Sequence, residues 1–99
     1  MIDQQKWQQF SFAQQMGHVA SEISRAKHWE EKNDATSLNN ALKRALELVE
    51  LTAGDTRWSD VNKEIVRLQK GILELLNNKS DSKISLADLE ARCFSLMPQ

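Results

Sequence analysis

The sequence predicts an all-α fold, an antiparallel, up-down helical bundle of about four helices with the last one short. Three observations carry this. Apolar residues recur at helical spacing in four separate stretches. No stretch sustains the period-2 alternation of a strand, and no Asn-Gly or Asp-Gly hairpin signal occurs. Three glycines, one proline and no tyrosine argue against a β-rich fold. Ninety-nine residues make one domain, 1–99, with no room for a second core.

Helix one is expected from about Gln5 to Lys32. Phe12, Ala13, Met16, Gly17, Val19, Ala20, Ile23, Ser24 and Ala26 cover about half of its circumference, enough to touch two neighbours. The far face carries His18, Glu22, Arg25 and Trp29, with Trp7 on roughly the same side. Gly17 costs up to ~1 kcal/mol against alanine in a helix interior. Ala13, Gly17, Ala20 and Ser24 form a row of small side chains. The row suits a close helix crossing, which would offset that cost, and equally suits incidental small residues.

Asn33 to Thr36 is a connector, with Asp34 or Thr36 as the cap of the next helix. Helix two runs from about Ser37 to Ala53 and buries Leu38, Ala41, Leu42, Ala45, Leu48, Val49 and Thr52; Gly54 is placed at C′. Helix three runs from an N-cap at Ser59 to about Asn77. Trp58, Val61, Ile65, Leu68, Ile72 and Leu75 step by three and four, an antiparallel-bundle seam. Val66 and Leu73 form a flanking row. A polar linker follows from Asn77 to Lys83. Ser85-Leu86-Ala87-Asp88 resembles a capping box with Asp for Glu. Helix four then buries Leu86, Leu89, Cys93 and Leu96 and ends before Pro98.

Composition narrows function. A net charge of −1 gives no field that steers the chain to nucleic acid or to an anionic membrane. The start has no apolar stretch of signal-peptide type, and no apolar run approaches the ~20 residues of a membrane span. A cytoplasmic protein is expected. A single cysteine, Cys93, excludes an intramolecular disulfide and a cysteine-rich zinc site. It falls on an apolar helix face, so it reads as core and not as a nucleophile. His18 and Glu22 share a helix face at i, i+4, but a metal usually needs three or four ligands. His28 lies elsewhere round the helix, and neither histidine has an acid three residues before it. No metal, no cofactor and no catalytic group is expected, since nucleophile-elbow, phosphate-loop and dinucleotide motifs are all missing from the sequence.

The sharpest polar feature is Glu22, Arg25 and Trp29. Arg25 can pair with Glu22 at i+3 and stack on Trp29 at i+4. Tryptophan beside arginine is the composition of an interface hot spot. A surface ion pair with Trp29 folded over the connector is the simpler alternative. Arg44 is a polar neighbour offered by helix two, together with Glu47 and Glu50. Arg57, Lys63, Arg67 and Lys70 sit in and just before helix three, the last three on one broad face. With Glu64 and Glu74 interspersed they read as a solvated face, so nucleic acid is not the expected partner.

Ser21-Glu22-Ile23-Ser24-Arg25-Ala26 with Trp29, then Arg44 to Thr52 and Lys63-Glu64-Ile65-Val66-Arg67, resembles a family of small bacterial and archaeal helical proteins of unassigned function. The resemblance spans roughly residues 7 to 70 and implies an all-α bundle with no known activity. A looser similarity is to HEPN-type helical bundles, which include toxin RNases. Their signature is an Arg followed by His after four to six intervening residues. Here two residues separate Arg25 from His28, and no arginine precedes His18. The expectation is a non-enzymatic bundle that works by protein–protein contact as a homodimer, with Glu22, Arg25, Trp29 and Arg44 as the contact residues. The alternative is a HEPN-like, nucleic-acid-associated or toxin–antitoxin subunit without the RNase motif.

Overall fold

The computed structural model describes residues 4–77 and 85–96 and is all-α. The elements are α1 (Gln4–Trp7), α2 (Phe12–Glu31), α3 (Ala35–Ala53), a 3-10 stretch (Thr56–Val61), α4 (Asn62–Leu76) and α5 (Leu86–Leu96). The expected linker beyond Asn77 lies outside the described residues, as does Pro98.

The single first helix expected from Gln5 to Lys32 is two helices. The chain leaves α1 after Trp7 and re-enters helix at Phe12. A capping box makes the new start. The Gln14 backbone N–H donates to Ser11 Oγ at 3.2 Å, and the Ser11 N–H donates to Gln14 Oε1 at 2.8 Å. Two otherwise unpaired donors are thereby satisfied. α2 then presents Met16, Val19, Ile23 and Ala26 as fully buried residues.

α2 ends in a Schellman turn. Asn33 takes the left-handed conformation, φ 59°, which Asn tolerates better than most residues. Its N–H donates to Glu30 O, and the Asp34 N–H donates to Trp29 O. Asp34 immediately caps α3, accepting from the Ser37 N–H at 3.0 Å and the Ser37 hydroxyl at 2.9 Å. These two bonds hold its pKa below the usual carboxylate value. Of the two caps considered, Asp34 is the one used. At the far end of α3, Gly54 is not a left-handed C′ residue. It is the C-cap, with φ −80° and ψ −4°.

Helix three starts differently from expectation. Ser59 is not its cap. Asp55 caps the 3-10 stretch by accepting from the Arg57 N–H, and Trp58 inside that stretch departs from helical angles. α4 then begins at Asn62, without a side-chain cap. Its seam packs as expected: Ile65, Leu68 and Ile72 are fully buried, while Trp58, Val61 and Leu75 pack at the margin of the core. In α5 the expected box forms reciprocally between Ser85 and Asp88, both bonds at 3.1 Å. Leu86, Leu89 and Cys93 turn inward.

Packing closes a four-helix ring: α2 on α3, α3 on α4, α4 on α5 and α5 back on α2. Directions follow from the side chains that meet. Trp7 and Gln15, around the start of α2, reach Thr52 at the end of α3 and Trp58 before α4. The first turns of α4 (Glu64, Arg67) share a cleft with the last turns of α5 (Arg92, Ser95, Leu96). Sequential helices therefore alternate in direction. α5 is pinned to α2 by Glu90, which accepts from the Ser24 hydroxyl and from Lys27 Nζ at 3.1 Å. These bonds, Ser24 first, lower the Glu90 pKa.

The row of small residues does not make a close crossing at Gly17. A Cβ there would meet nothing within 4 Å. Among the row only Ala20 is buried.

Candidate functional site

The polar face shared by α2 and α3 holds Glu22, Arg25, Arg44 and Trp29. Glu22 lies one residue before the core residue Ile23, which turns it about 100° from the core axis toward α3. It is not on a solvated face as expected: it is buried, with 8% of its surface exposed. Both of its oxygens are used. Arg25 Nη1 donates to Oε1 at 2.6 Å, within α2. Arg44 Nε donates to Oε2 at 2.9 Å, from α3. The carboxylate thus ties two helices together across the bundle's surface. The two guanidiniums remain half or more in water, and each engages Glu22 through one nitrogen.

Trp29, one turn beyond Arg25, is only part-exposed and packs against the core. The ring lying against it is that of His28, edge-on, with centroids 4.9 Å apart. The stacking of Arg25 on Trp29 is not formed, because Arg25 turns back to Glu22. A hollow of about 260 Å³ opens beside Trp29, lined also by Glu30, Asn33, Asp34, Ala35 and Leu38.

A second polar cluster lies inside the molecule. Gln15 is fully buried. Its Nε2 donates to Trp7 O at 2.9 Å, and its Oε1 accepts from Trp58 Nε1 at 2.8 Å. An indole N–H can only donate, so the amide orientation is forced. Trp7 Nε1 in turn donates to Thr52 Oγ1 at 2.9 Å. Trp7 is therefore no surface residue beside Trp29. It is buried, with 1% of its area exposed, and His18 and Phe10 cover its ring. Arg57 finishes this end of the bundle. It pairs with buried Asp55 at 2.7 Å, stacks 4.5 Å over the Trp58 ring and reaches Phe10 O. The Arg57 guanidinium holds the Asp55 carboxyl below its ordinary pKa. Sequence reading did not single out Gln15. Its one signal was a polar side chain beside Phe12, Met16 and Val19 on an otherwise apolar arc.

Other candidate groups do not converge. Cys93 is buried, and burial pushes its thiol up to about 12, far from thiolate chemistry at neutral pH. His18 lies against Trp7 and Phe10, and His28 against Trp29. Among the described residues no group of three or more His, Cys, Asp or Glu is arranged to hold a metal ion. None of the described helices is long and apolar enough to cross a membrane. No protein-family model, curated protein or solved structure matches the chain.

Proposed function

We propose that this chain acts without catalysis, as a helical interaction module in the cytoplasm, and that its partner is a second copy of itself. The observation that carries this is Glu22 with its two arginines. Each pair joins the buried carboxylate to a guanidinium half or more in water, so it adds modest stability beyond satisfying Glu22. The same arrangement is well suited to contact. It holds Arg25 and Arg44 in place before binding, so little side-chain freedom is lost on association. Trp29 stands one turn away, and Trp and Arg are the residues enriched at contact hot spots. Glu47, exposed on α3 one turn past Arg44, lets a twofold axis oppose unlike charges. With Trp7 buried in the monomer, the contact rests on Arg25, Arg44 and Trp29.

Sedimentation velocity tests this. The wild-type chain is expected to sediment as a dimer at high micromolar concentration. Arg25→Glu with Trp29→Ala is expected to shift it toward monomer with helix content unchanged by circular dichroism. Because Trp29 touches the core, Arg25→Glu alone serves where the double variant unfolds; it leaves Arg44 on Glu22. A wild-type monomer at that concentration, or a dimer indifferent to Arg25→Glu, overturns the proposal.

A further inference from the structure

The bundle carries a second surface whose charges are unaccounted for. α5 runs antiparallel to α4, which brings Arg92 beside Arg67. The two line one cleft of about 180 Å³, together with Glu64, Ser95 and Leu96. Arg67 also lines a neighbouring cleft of about 350 Å³ with Lys63 and Lys70. The two hollows are thus one continuous strip. Sequence spacing alone reads the α4 row as a solvated face because Glu64 and Glu74 interrupt it, and it does not place Arg92 beside Arg67.

Arg25, Arg44, Arg57 and Lys27 each have a carboxylate. Lys63, Arg67, Lys70 and Arg92 are exposed, and none forms an ion pair with a described residue. Along the strip these four cations face one lining carboxylate, Glu64, leaving a local excess of three positive charges on a chain of net charge −1. Glu74 bounds the row beyond Lys70. Lys63 and Arg67 are i, i+4, and Arg67 and Lys70 are i, i+3, so they repel one another in the free protein. A bound polyanion relieves that repulsion. Phe94, the exposed aromatic of α5, lies about 160° round the helix from Arg92, so the strip offers cations for phosphate and no ring on which a base could stack.

We propose that this α4–α5 strip binds the phosphodiester backbone of a nucleic acid through charge alone, without reading sequence or stacking bases. Arg67 sits at the centre and takes phosphate oxygens in the fork geometry of a guanidinium, with Arg92 on one side and Lys63 and Lys70 on the other. This surface is separate from the α2–α3 contact and does not depend on it.

Fluorescence anisotropy with labelled oligouridylate and oligothymidylate, over a salt series, tests it. Binding is expected at low salt, weakening with a log–log slope of about −3, from four contacts at roughly 0.7 each. Arg67→Glu with Arg92→Glu is expected to weaken binding by at least about tenfold and to flatten the slope. Lys43→Glu, on exposed α3, leaves both unchanged. Arg67→Gln with Arg92→Gln gives the same direction more mildly and stands in where charge reversal unfolds the chain. Equal binding of the two probes assigns the site to the shared phosphodiester, and a preference for oligouridylate assigns it to RNA. Absence of binding at low salt, or binding untouched by both double variants, overturns the proposal. Polyglutamate that displaces the probe as well as unlabelled oligouridylate does would assign the strip to an acidic protein, which also overturns it.

Discussion

Gln15 uses both ends of its amide, the nitrogen as donor and the oxygen as acceptor. It donates to the Trp7 carbonyl, which also accepts from the Phe10 N–H, and it accepts from the Trp58 indole N–H. Removing it leaves the Trp58 N–H without its partner, while the Trp7 carbonyl keeps the Phe10 N–H. Gln15→Ala is expected to destabilise the chain by about 2–4 kcal/mol, from two lost hydrogen bonds, one of which leaves the Trp58 N–H unpaired, and a cavity. Gln15→Met keeps most of the volume and is expected to cost about 2 kcal/mol from the bonds alone. Urea unfolding measures both. Equal midpoints for Gln15→Met and wild type would show that packing alone seats the two tryptophans. At this scale the sequence was legible only where partners are neighbours along the chain. The Glu22–Arg25 pair is three residues apart and readable from helical spacing. Gln15 finds its partners eight and 43 residues away, and nothing local announces them.

The elements were easier to read than their ends. α3, α4 and α5 follow from apolar periodicity, and the Ser85–Asp88 box was readable because polar residues precede it. The Ser11–Gln14 box has the same form, yet Gln5 to Phe10 contains no glycine or proline to interrupt a helical reading. The interruption comes from tertiary contact: Trp7 turns inward to Thr52, and the backbone yields. Likewise Ser59 lost its capping role to Asp55, whose pairing with Arg57 and Trp58 sets the 3-10 stretch. Two substitutions in α2 should act in opposite directions. Ser11→Ala removes the cap and is expected to cost about 1 kcal/mol. Gly17→Ala adds a methyl into open space at a helical backbone position, and is expected to stabilise by about 0.5–1 kcal/mol. Thermal unfolding reads both. A destabilised Gly17→Ala would mean that something closes on that position in solution.

At the scale of the whole molecule, four long helices close a ring and a short first segment is fastened across it. The ring was legible, because four apolar patterns with short connections have few other ways to bury themselves. The two surface assignments were not. Periodicity says which side of a helix faces out, but not what stands beside it. Glu22 became an interhelical tie, and Arg67 gained Arg92, only once α3 and α5 were in place. The fastening has a consequence in time. Trp7 Nε1 reaches a threonine 45 residues away, at the last turn of α3, so the joint cannot form until the α2–α3 pair has already folded back on itself. Contacts made late in folding leave the folding rate alone and govern escape from the native state. Trp7→Phe should therefore raise the unfolding limb of a stopped-flow chevron while the refolding limb stays put. Slower refolding would instead place the joint in the nucleus. A few residues at the front of the chain would then set not whether the bundle forms, but how long each copy lasts.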